Sequence, residues 1–328
     1  MNQPASHGGL PPHVPVMREE VLQYLIWNRN GVFVDATANG GGHAESVMNE
    51  LSDNGRLIGL DRDAGALARA AERLAAFGPS RVTLVHSDYA HLGEVCRQRG
   101  ISAVHGVLFD LGLSTTQLDD PARGFAYSHA GPLDLRFDTS DGESAASWLR
   151  RASESDIRDV LFRFGEEPKS GPIARSIVRR RETSPIQTTA ELWSLLSAVA
   201  GTRMPQLGRT AARVWQALRI HVNSELQSIP AGLNDAIELL EQHGRVVVIA
   251  YHSLEDRIVK DTFREAARQC NCLPMYPHCV CGANPRGRII TRRVLRPTSD
   301  EVAANSRARS ARMRVFEKDV LKSGRGAA

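Results

Sequence analysis

Long apolar runs are missing from this chain of 328 residues. No segment approaches the roughly 18 consecutive apolar residues that a membrane-spanning helix needs, so we expect no membrane partner. The first twelve residues are polar and rich in Gly and Pro, without the apolar core of a secretory signal. We therefore expect residues 1–12 to form a flexible tail and the protein to be cytoplasmic. The 42% apolar and 24% charged composition is typical of a soluble globular protein.

Cysteine is scarce, with five residues in the whole chain. Disulfides are not expected in a reducing compartment, and the isolated Cys96 has the character of a small core residue. The other four lie within twelve residues, as Cys270, Cys272, Cys279 and Cys281, with His278 beside them. Four thiols this close could hold a structural zinc ion, but C-x-C is tighter than the usual zinc spacing. We therefore predict no metal site and keep structural zinc as the alternative.

Acidic residues are nearly absent from one part of the chain. Between Asn284 and Arg314 there are nine arginines and two acids, although the net charge of the whole chain is only +4. A second basic run contains Arg175, Arg179, Arg180 and Arg181. Such runs can be no more than solvated faces. The preference for Arg over Lys and the pI of about 8.9 nevertheless favour contacts with phosphate groups.

A glycine turn between two apolar strands is the most informative motif in the sequence. The run Val32–Asp35 is typical of a short buried strand, and Gly40, Gly41 and Gly42 follow it. Glycines allow a sharp turn and the close approach of a ligand, because no Cβ stands in the way. Asp61 ends the next apolar run, where nucleotide-binding α/β sheets place a carboxylate against a ribose. A tight turn without a ligand is the alternative for the glycines alone.

The third glycine of a dinucleotide-binding motif is missing. In G-x-G-x-x-G the helix N-terminus receives a pyrophosphate, but Glu45 occupies the third glycine position here. An acid in the first helical turn opposes a bound phosphate. S-Adenosylmethionine contains adenosine, no phosphate and a positively charged sulfonium. The pattern therefore favours this cofactor over NAD.

Strands alternate with helices at both ends of the chain but not in its middle. Strands are predicted at Val32–Asp35, Leu57–Asp61, Val82–His86 and Val107–Asp110, with a helix at Ala64–Phe77. The pattern returns with a helix near 232–242, a strand at 244–251, a helix at 254–268 and an edge strand or hairpin at 288–295. We therefore predict an α/β domain formed by residues 13–117 and 223–328, with a mostly parallel sheet. Residues 118–222 show helical patterns, including capping boxes at Ser153 and Thr188, and are predicted to be an inserted all-helical domain.

Several separate motifs, in one order, carry a resemblance to a known family. They are His13-Val-Pro-Val16, Gly40-Gly-Gly-His43, Asp61-Arg-Asp63, Phe109-Asp-Leu-Gly-Leu-Ser114, Gln117-Leu-Asp119, Arg123-Gly-Phe125, Gly131-Pro-Leu-Asp-Leu-Arg136, Phe164-Gly-Glu-Glu167, Gln216-Ala-Leu-Arg-Ile220, His252-Ser-Leu-Glu-Asp-Arg257 and the run from Asn305 to Arg314. In these motifs the chain resembles the bacterial 16S ribosomal RNA cytosine-N4 methyltransferase family, also called RsmH or MraW. The resemblance extends over nearly the whole chain.

The resemblance implies a class I, Rossmann-like fold for an S-adenosylmethionine-dependent methyltransferase, with a helical insertion that binds the substrate. It also implies methylation of N4 of a cytosine in the decoding region of 16S ribosomal RNA, within the small (30S) subunit. The family's cofactor contacts fall on Gly41, Gly42, His43, Asp61, Asp110 and Gln117, and Gly40 belongs to the same turn. Tyr89 replaces a Phe of the family, and Asn39 replaces a Gly. We expect Asn39 to keep the turn, because Asn tolerates left-handed backbone angles.

Asp110 and His252 are the candidate catalytic residues. Each stands at the carboxyl end of a predicted strand, where open α/β folds bind ligands. Asp110 could accept an N–H of the target amine, or only contact the cofactor or cap a loop. His252 could act at the amine or organise its own loop. The Asp-Pro-Pro-Tyr turn of many amino-methyltransferases is absent, so Phe125 or Tyr127 is the candidate to stack on the target base.

The predicted RNA contacts lie in the helical insertion and in an arginine-rich tail. Arg175, Arg179, Arg180 and Arg219 belong to the insertion, and Arg309 and Arg312 belong to the tail. Phosphate contacts by these residues would make binding strongly salt-dependent, while RNA shape and a splayed-out base would give specificity. The alternatives are a methyltransferase that acts on DNA or protein and a non-catalytic ribosome-assembly factor. A homodimer is also left open.

Overall fold

The computed structural model describes residues 15–200, 203–270, 272 and 285–319. Within these ranges one seven-stranded sheet is formed. Its strands are β1 (Val32–Asp35), β2 (Arg56–Asp61), β3 (Val82–His86), β4 (Val104–Asp110), β5 (Leu240–Ala250), β6 (Arg288–Ile289) and β7 (Arg312–Glu317). The order is β3-β2-β1-β4-β5-β7-β6; β1 to β5 pair in parallel, and β7 is antiparallel to both of its neighbours. The predicted α/β fold with a mostly parallel sheet is confirmed.

The α-helices of the described residues alternate with strands at both ends of the chain, and α5 to α11 follow one another without a named strand between them. They are α1 (Arg18–Leu25), α2 (Gly42–Glu50), α3 (Ala64–Leu74), α4 (Leu92–Gln98), α5 (Thr115–Asp119), α6 (Ala145–Arg151), α7 (Glu154–Gly165), α8 (Ser170–Arg181), α9 (Thr189–Ala200), α10 (Met204–Asn223), α11 (Glu225–Leu239), α12 (Ser253–Ala266) and α13 (Ser299–Ala304). No helix in these ranges is long and apolar enough to cross a membrane.

The chain divides into two compact units. The sheet unit comprises residues 1–61, 65–111 and 233–328, and it contains all the strands described above. The helical unit comprises residues 62–64 and 112–232, so the predicted insertion of 118–222 lies inside it. Along the chain, the helical unit begins directly after the last residue of β2 and again shortly after β4.

The central strands of the sheet unit are buried on both faces. In β4, Val107, Leu108 and Phe109 are at most 1% exposed, and in β5 the run Val246–Ala250 is at most 2% exposed. Continuous apolar runs of this kind are typical of parallel strands that helices cover on both sides. The acids of β1, β2 and β4 stand only at the last position of each strand, as Asp35, Asp61 and Asp110.

The glycine turn joins β1 to α2 and requires left-handed backbone angles. Asn39 has a φ of 49° and Gly41 a φ of 79°. A Cβ added at Gly41 would lie 3.1 Å from the Cα of Ala70, so the packing as well as the backbone angle favours glycine there. The prediction that Asn39 preserves the turn is confirmed, because this residue adopts the left-handed conformation.

The described part of the helical unit consists of helices and loops, with one isolated β-bridge between Pro132 and Thr188 and no named strand. The predicted capping box opens α7, where Ser153 Oγ accepts a hydrogen bond from the Asp156 N–H at 3.1 Å. A buried apolar cluster includes Ile157 and Leu161 of α7 and continues through α8, α9 and α10. This unit therefore has a hydrophobic core of its own.

Several predicted boundaries differ from the structure. The arginine-rich tail contains β7, in which Met313 and Val315 are buried while Arg312 and Arg314 are half-buried. This alternation is typical of a strand, but the many arginines concealed it in the sequence. The strand predicted at 288–295 reduces to the two residues of β6 and an isolated bridge from Leu295 to Met313. The helix predicted near 232 begins at Glu225 and runs through Pro230.

Two predictions concern residues that the structure does not describe. The flexible tail of residues 1–12 lies outside the described ranges, as do Cys279, Cys281 and His278 of the zinc alternative. Cys270 is exposed and Cys272 is half-buried. Within the described ranges no group of three or more His, Cys, Asp or Glu side chains is arranged to hold a metal ion.

Candidate active site

Acidic and aromatic side chains meet at the carboxyl edge of the sheet unit. Asp35, Asp61 and Asp110 end the parallel strands β1, β2 and β4, and Tyr251 follows the last residue of β5. The carboxyl ends of parallel strands lie on one edge of a sheet, which is where open α/β folds bind their ligands. The structure therefore places the candidates Asp61 and Asp110 on the same edge and adds Asp35 and Tyr251 to them.

Asp110 is held between a tyrosine and a histidine. The Tyr251 hydroxyl donates a hydrogen bond of 2.8 Å to Asp110 Oδ1, and His43 Nε2 lies 3.6 Å from Asp110 Oδ2. The backbone N–H of Asp110 donates to Thr37 Oγ1 at 2.7 Å. Burial raises the pKa of Asp110 from 3.8 to about 7, although the bond from Tyr251 acts in the opposite direction. Asp110 can therefore change protonation state near neutral pH.

Asp35 is a second buried acid, which the sequence analysis treated only as the end of a strand. It is 2% exposed, and its Oδ1 accepts the Thr37 N–H at 3.2 Å. Its other oxygen, Oδ2, is buried and has no hydrogen-bond partner among the described residues. Burial raises the pKa of Asp35 to about 7, and the charges of Asp110 and Asp61 act in the same direction. A buried acceptor without a donor suits a ligand that brings a donor or a positive charge.

Asp61 connects β2 to the glycine turn. Its Oδ2 accepts the backbone N–H of Asn39 at 2.7 Å, across 22 residues of sequence. The neighbouring Gly40 has open space on its Cβ side, since an added Cβ would meet no heavy atom within 4 Å. At Gly42 an added Cβ would come within 3.0 Å of Pro15. The turn thus exposes backbone beside a carboxylate, as the sequence predicted for a cofactor site.

His252 occupies the N-cap of α12. Its Nδ1 accepts the Glu255 N–H at 3.4 Å, and Glu255 Oε2 accepts the His252 N–H at 3.2 Å, which completes a capping box. His252 Nε2 lies 3.0 Å from Glu255 Oε1. These contacts correspond to the loop-organising alternative for His252. Its catalytic role stays a prediction.

The remaining cofactor candidates belong to different units. Tyr89 begins a 3-10 helix of the sheet unit, and its ring meets that of Phe109 edge-on at 5.6 Å. Gln117 lies in the helical unit and is 4% exposed. Its side-chain amide donates to Asp63 Oδ2 at 2.9 Å, and its backbone N–H donates to Ser114 Oγ at 3.2 Å. Gln117 therefore has a well-defined position within its own unit.

The candidate RNA-binding arginines differ in exposure. On α8, Arg175 and Arg179 are exposed and Arg180 is half-buried; Arg175 lies 3.6 Å from Glu154. Arg309 is exposed, and Arg312 is half-buried on β7. Arg219 is only 12% exposed and forms a 2.8 Å ion pair with the buried Glu225. The RNA prediction therefore has less support at Arg219 than at Arg175 and Arg179.

The two aromatic candidates for base stacking also differ in solvent exposure. Phe125 is 4% exposed and packs against Phe137 in the helical unit. Tyr127 is 38% exposed and stacks on Trp193, with ring centroids 5.4 Å apart and an interplanar angle of 12°. Tyr127 therefore presents a partly exposed ring on a rigid support.

The site in the sheet unit fits the cofactor that the sequence predicted. Three buried or half-buried carboxylates stand at one edge, and one of them has an oxygen without a donor. A cationic ligand would relieve the repulsion among these acids, whereas a phosphate would increase it. The open Cβ side of Gly40 also gives the ligand room beside the turn.

Comparison with known proteins identifies the family of the chain. A family model, described as the MraW methylase family, matches residues 11–319. The chain belongs to the MraW methylase family. Ribosomal RNA small subunit methyltransferase H of Thermomicrobium roseum is 44% identical over 306 residues, which cover 93% of each chain. The protein of the same name from Geotalea uraniireducens is 45% identical over 307 residues, or 93% of this chain and 98% of the relative.

Solved structures have more distant similarity. An rRNA methylase from Streptococcus thermophilus has a TM-score of 0.40 and 11% identity, covering 92% of this chain and 93% of that one. TrmN from Thermus thermophilus has a TM-score of 0.41 and 12% identity, covering 92% and 48%. The match to the MraW methylase family confirms the resemblance that the sequence motifs carried, and with it the Rossmann-like methyltransferase fold.

Proposed function

We propose that this member of the MraW methylase family transfers a methyl group from S-adenosylmethionine to N4 of a cytosine in the decoding region of 16S ribosomal RNA, within the small ribosomal subunit. Its curated relatives are named as small-subunit ribosomal RNA methyltransferases and cover 93% of the chain. The observation that carries the proposal is the half-buried Asp110–Tyr251 pair, which stands at the carboxyl edge of the sheet, on the same edge as the glycine turn.

The cofactor would be held by the turn and the acids of the sheet unit. S-Adenosylmethionine supplies an electrophilic methyl group on a positively charged sulfonium. Gly40, Gly41 and Gly42 would admit it close to the backbone, and Asp61 would bind the ribose hydroxyls. His43, Tyr89 and, from the helical unit, Gln117 are the further proposed contacts. Asp35 is added to them, because its buried Oδ2 has no donor among the described residues.

Asp110 would act on the target amine. The exocyclic amine of cytosine is a poor nucleophile, because its lone pair is conjugated with the ring. Asp110, as a carboxylate, would accept one N–H, orient the amine and stabilise the positive charge that develops on nitrogen. Its pKa of about 7 would also allow it to receive the proton at neutral pH. The remaining rate enhancement would come from alignment of the amine with the methyl group.

Tyr251 would position Asp110. Burial raises the pKa of Tyr251 well above its usual range, so its hydroxyl remains a donor at every working pH. The hydrogen bond to Asp110 Oδ1 fixes one carboxylate oxygen, and Oδ2, which lies 3.6 Å from His43 Nε2, would accept the amine N–H. Replacing Tyr251 by Phe should raise the pKa of Asp110 and move the rise in kcat/KM to higher pH. A purely structural role for Tyr251 would lower activity without moving that profile.

The helical unit and the basic residues near the C-terminal end would bind the RNA. Arg175, Arg179 and Arg180 on α8, with Arg309 and Arg312, are proposed to contact phosphates; Arg219 is retained with the weaker support given above. Tyr127 is proposed to stack on a splayed-out base, because its ring is partly exposed and supported by Trp193. The catalytic role of His252, the homodimer and a cytoplasmic location stay predictions.

The test is methyl transfer from isotopically labelled S-adenosylmethionine to 30S subunits from cells that lack the protein. Labelled N4-methylcytosine, mapped by nuclease digestion and mass spectrometry to the decoding region, is the expected product. The Asp110→Asn variant should lose most of the rate. Asp53→Asn, which replaces a fully exposed acid of the sheet unit, is the matched control and should behave like the wild type. Label in DNA, in protein or in no product would overturn the proposal, in favour of another substrate or a non-catalytic assembly factor.

A further inference from the structure

A basic cavity lies in the sheet unit, formed by α12, β6, β7 and the loop that follows β6. Its volume is about 510 Å³. Its lining includes five cations, Lys260, Arg264, Arg288, Arg292 and Arg314, and no acidic residue among those described. Arg288, Arg292 and Arg314 belong to the arginine-rich run between Asn284 and Arg314, whereas the sequence analysis did not assign Lys260 or Arg264 to any site.

Two of the five cations already have strong partners. Arg314 forms two hydrogen bonds with the carboxylate of Asp256, the longer of them 3.0 Å. Arg288 Nη2 lies 2.6 Å from Glu317 Oε1, and this contact raises the pKa of Arg288. Bidentate and close contacts of this kind orient a guanidinium and compensate its charge. Arg288 and Arg314 therefore act mainly as structural walls of the cavity.

The other three cations are poorly compensated. Lys260 and Arg264 are four residues apart on one face of α12. Among the described residues, the one acid within ion-pair distance of each is Asp261, at 4.0 Å and 3.9 Å. Asp261 is itself 59% exposed, so solvent screens these long contacts. Arg292 is exposed and has no ion pair among the described residues. Two of these cations thus share one exposed carboxylate and the third has none among the described residues, which leaves an excess positive charge at the cavity.

The chain supplies no further acidic side chain to neutralise this charge. Residues 1–14, 201–202, 271, 273–284 and 320–328 lie outside the described ranges, and none of them is Asp or Glu. The segment 273–284, which joins the α12 end of the cavity to its β6 end, is included in this set. An anion that balances the cavity must therefore come from outside the side chains of this protein.

We propose that this cavity binds phosphate groups of the RNA backbone, through Lys260, Arg264 and Arg292, as a contact separate from the active-site edge. The inference rests on the proposed function, in that an RNA substrate is what would bring the phosphates. Lys and Arg at a concave surface suit this ligand, because they bind phosphodiester oxygens without selecting a base. The cavity would therefore increase the affinity for RNA and help to fix its position on the protein, but it would give no sequence preference.

The test uses polyuridylate, a single-stranded RNA that contains no cytosine and so separates binding from methyl transfer. The logarithm of the observed binding constant is measured against the logarithm of NaCl concentration by fluorescence anisotropy. For single strands the slope changes by about 0.7 for each phosphate contact. The variant Lys260→Gln/Arg264→Gln/Arg292→Gln should therefore have a slope smaller in magnitude by roughly 2, and Arg292→Gln alone by about 0.7.

The matched control is Arg56→Gln/Arg97→Gln/Arg99→Gln, which removes the same charge from exposed positions of the sheet unit. Its slope should stay close to that of the wild type. A cavity variant with the slope of this control would overturn the proposal. Arg292 is exposed, so the single variant Arg292→Gln should fold normally. If the triple variant fails to fold, the slope of Arg292→Gln alone decides the test.

A second arm separates RNA from a small anion. Thermal unfolding of the wild type and of the triple variant is compared in inorganic phosphate and in chloride at equal ionic strength. Stabilisation by phosphate in the wild type alone, with an unchanged polyuridylate slope, would assign the cavity to a free anion and overturn the RNA inference. All cavity variants should retain cofactor affinity by calorimetry and a normal kcat at saturating 30S subunits. A changed slope in a protein that methylates no ribosomal RNA would refute the proposed function and leave the cavity as an RNA contact.

Discussion

Replacing Asp35 by Asn should stabilise the sheet unit at alkaline pH far more than at acidic pH. Asp35 is 2% exposed, and burial raises its pKa from 3.8 to about 7. Asn keeps the shape of the side chain and an oxygen for the Thr37 N–H, but it cannot carry the buried charge. The substitution therefore isolates the free energy of ionising this carboxyl in the folded protein.

The sign and size of the effect follow from the two pKa values. Because the folded pKa is raised, the stability that Asp35 contributes is fully present below about pH 4 and is lost as the pH rises through 7. Between pH 5 and pH 8 the folded protein must release a proton that the unfolded chain has already lost. The free energy of unfolding falls between pH 5 and the folded pKa of about 7, an interval of about two pH units. Each unit corresponds to about 1.36 kcal/mol, so the wild type should lose about 3 kcal/mol of stability between pH 5 and pH 8.

The assay compares the wild type and Asp35→Asn in urea at pH 5 and pH 8. Unfolding is read by a hydrogen-exchange pulse at a single pH, followed by mass spectrometry of peptides within residues 32–61, so that only the sheet unit is reported. The stability of the variant relative to the wild type should rise by roughly 3 kcal/mol from pH 5 to pH 8. The absolute value at either pH also contains the burial of the Asn amide, which the comparison between the two pH values cancels.

Asp53→Asn is the control, because Asp53 is fully exposed and its neutralisation should give no comparable pH-dependent difference. An equal effect of Asp35→Asn at pH 5 and pH 8 would refute the reasoning, since it would mean that Asp35 is not protonated in the folded protein at pH 5. The same variant should bind S-adenosylmethionine more weakly by calorimetry, because it removes an acid that we propose faces the cationic ligand. Stability and cofactor affinity should thus change in opposite directions at pH 8.

Three further predictions concern the active site and the arginines. The kcat/KM of the wild type should rise with pH through about 7. Burial raises the pKa of Asp110 to that value, and only the ionised carboxylate would accept the amine N–H. The residual activity of Asp110→Asn should lack this rise. Gly41→Ala should lower the free energy of unfolding by at least about 1 kcal/mol in urea titrations, because Gly41 has a φ of 79° and an added Cβ would lie 3.1 Å from the Cα of Ala70. The control Gly40→Ala should leave stability unchanged and weaken cofactor binding, because its added Cβ meets no protein atom within 4 Å. Arg219→Gln should destabilise the helical unit by about 3 kcal/mol, because it leaves the buried Glu225 without its ion pair to Arg219; hydrogen exchange of peptides from α10 measures this loss. The control Arg175→Gln, at an exposed position, should leave stability unchanged and weaken RNA binding.

The parts of the site that could be predicted from sequence are those determined by neighbouring residues along the chain. The glycine turn, the left-handed Asn39 and the acid that ends β2 all follow from local spacing and backbone preference. The position of Gln117 came from the resemblance to the family, whereas Asp110 was also expected at the carboxyl end of a predicted strand. Their hydrogen-bond partners were not predicted.

The Asp110–Tyr251 bond could not be predicted in this way, because it joins residues 141 positions apart. It exists because β4 and β5 are adjacent in the sheet, although the whole helical insertion separates them along the chain. The role of Asp35 depends on burial of its two oxygens and on which of them lacks a donor. Neither property has a local sequence signal, because Asp is mostly exposed in proteins and the sequence around Asp35 does not show that it is buried.

The ion pairs of the arginines also could not be predicted from the sequence. Composition alone treated the run from Asn284 to Arg314 as one basic tail, but its members have different partners. Arg288 is paired with Glu317 and Arg314 with Asp256, each an acid at least 29 residues away, and β7 passes through the run. Arg292 has no such partner within the described residues. A phosphate gains most from cations that no protein carboxylate already compensates, so the pairing of the arginines, rather than their number, is the reason for proposing an additional phosphate contact at the cavity.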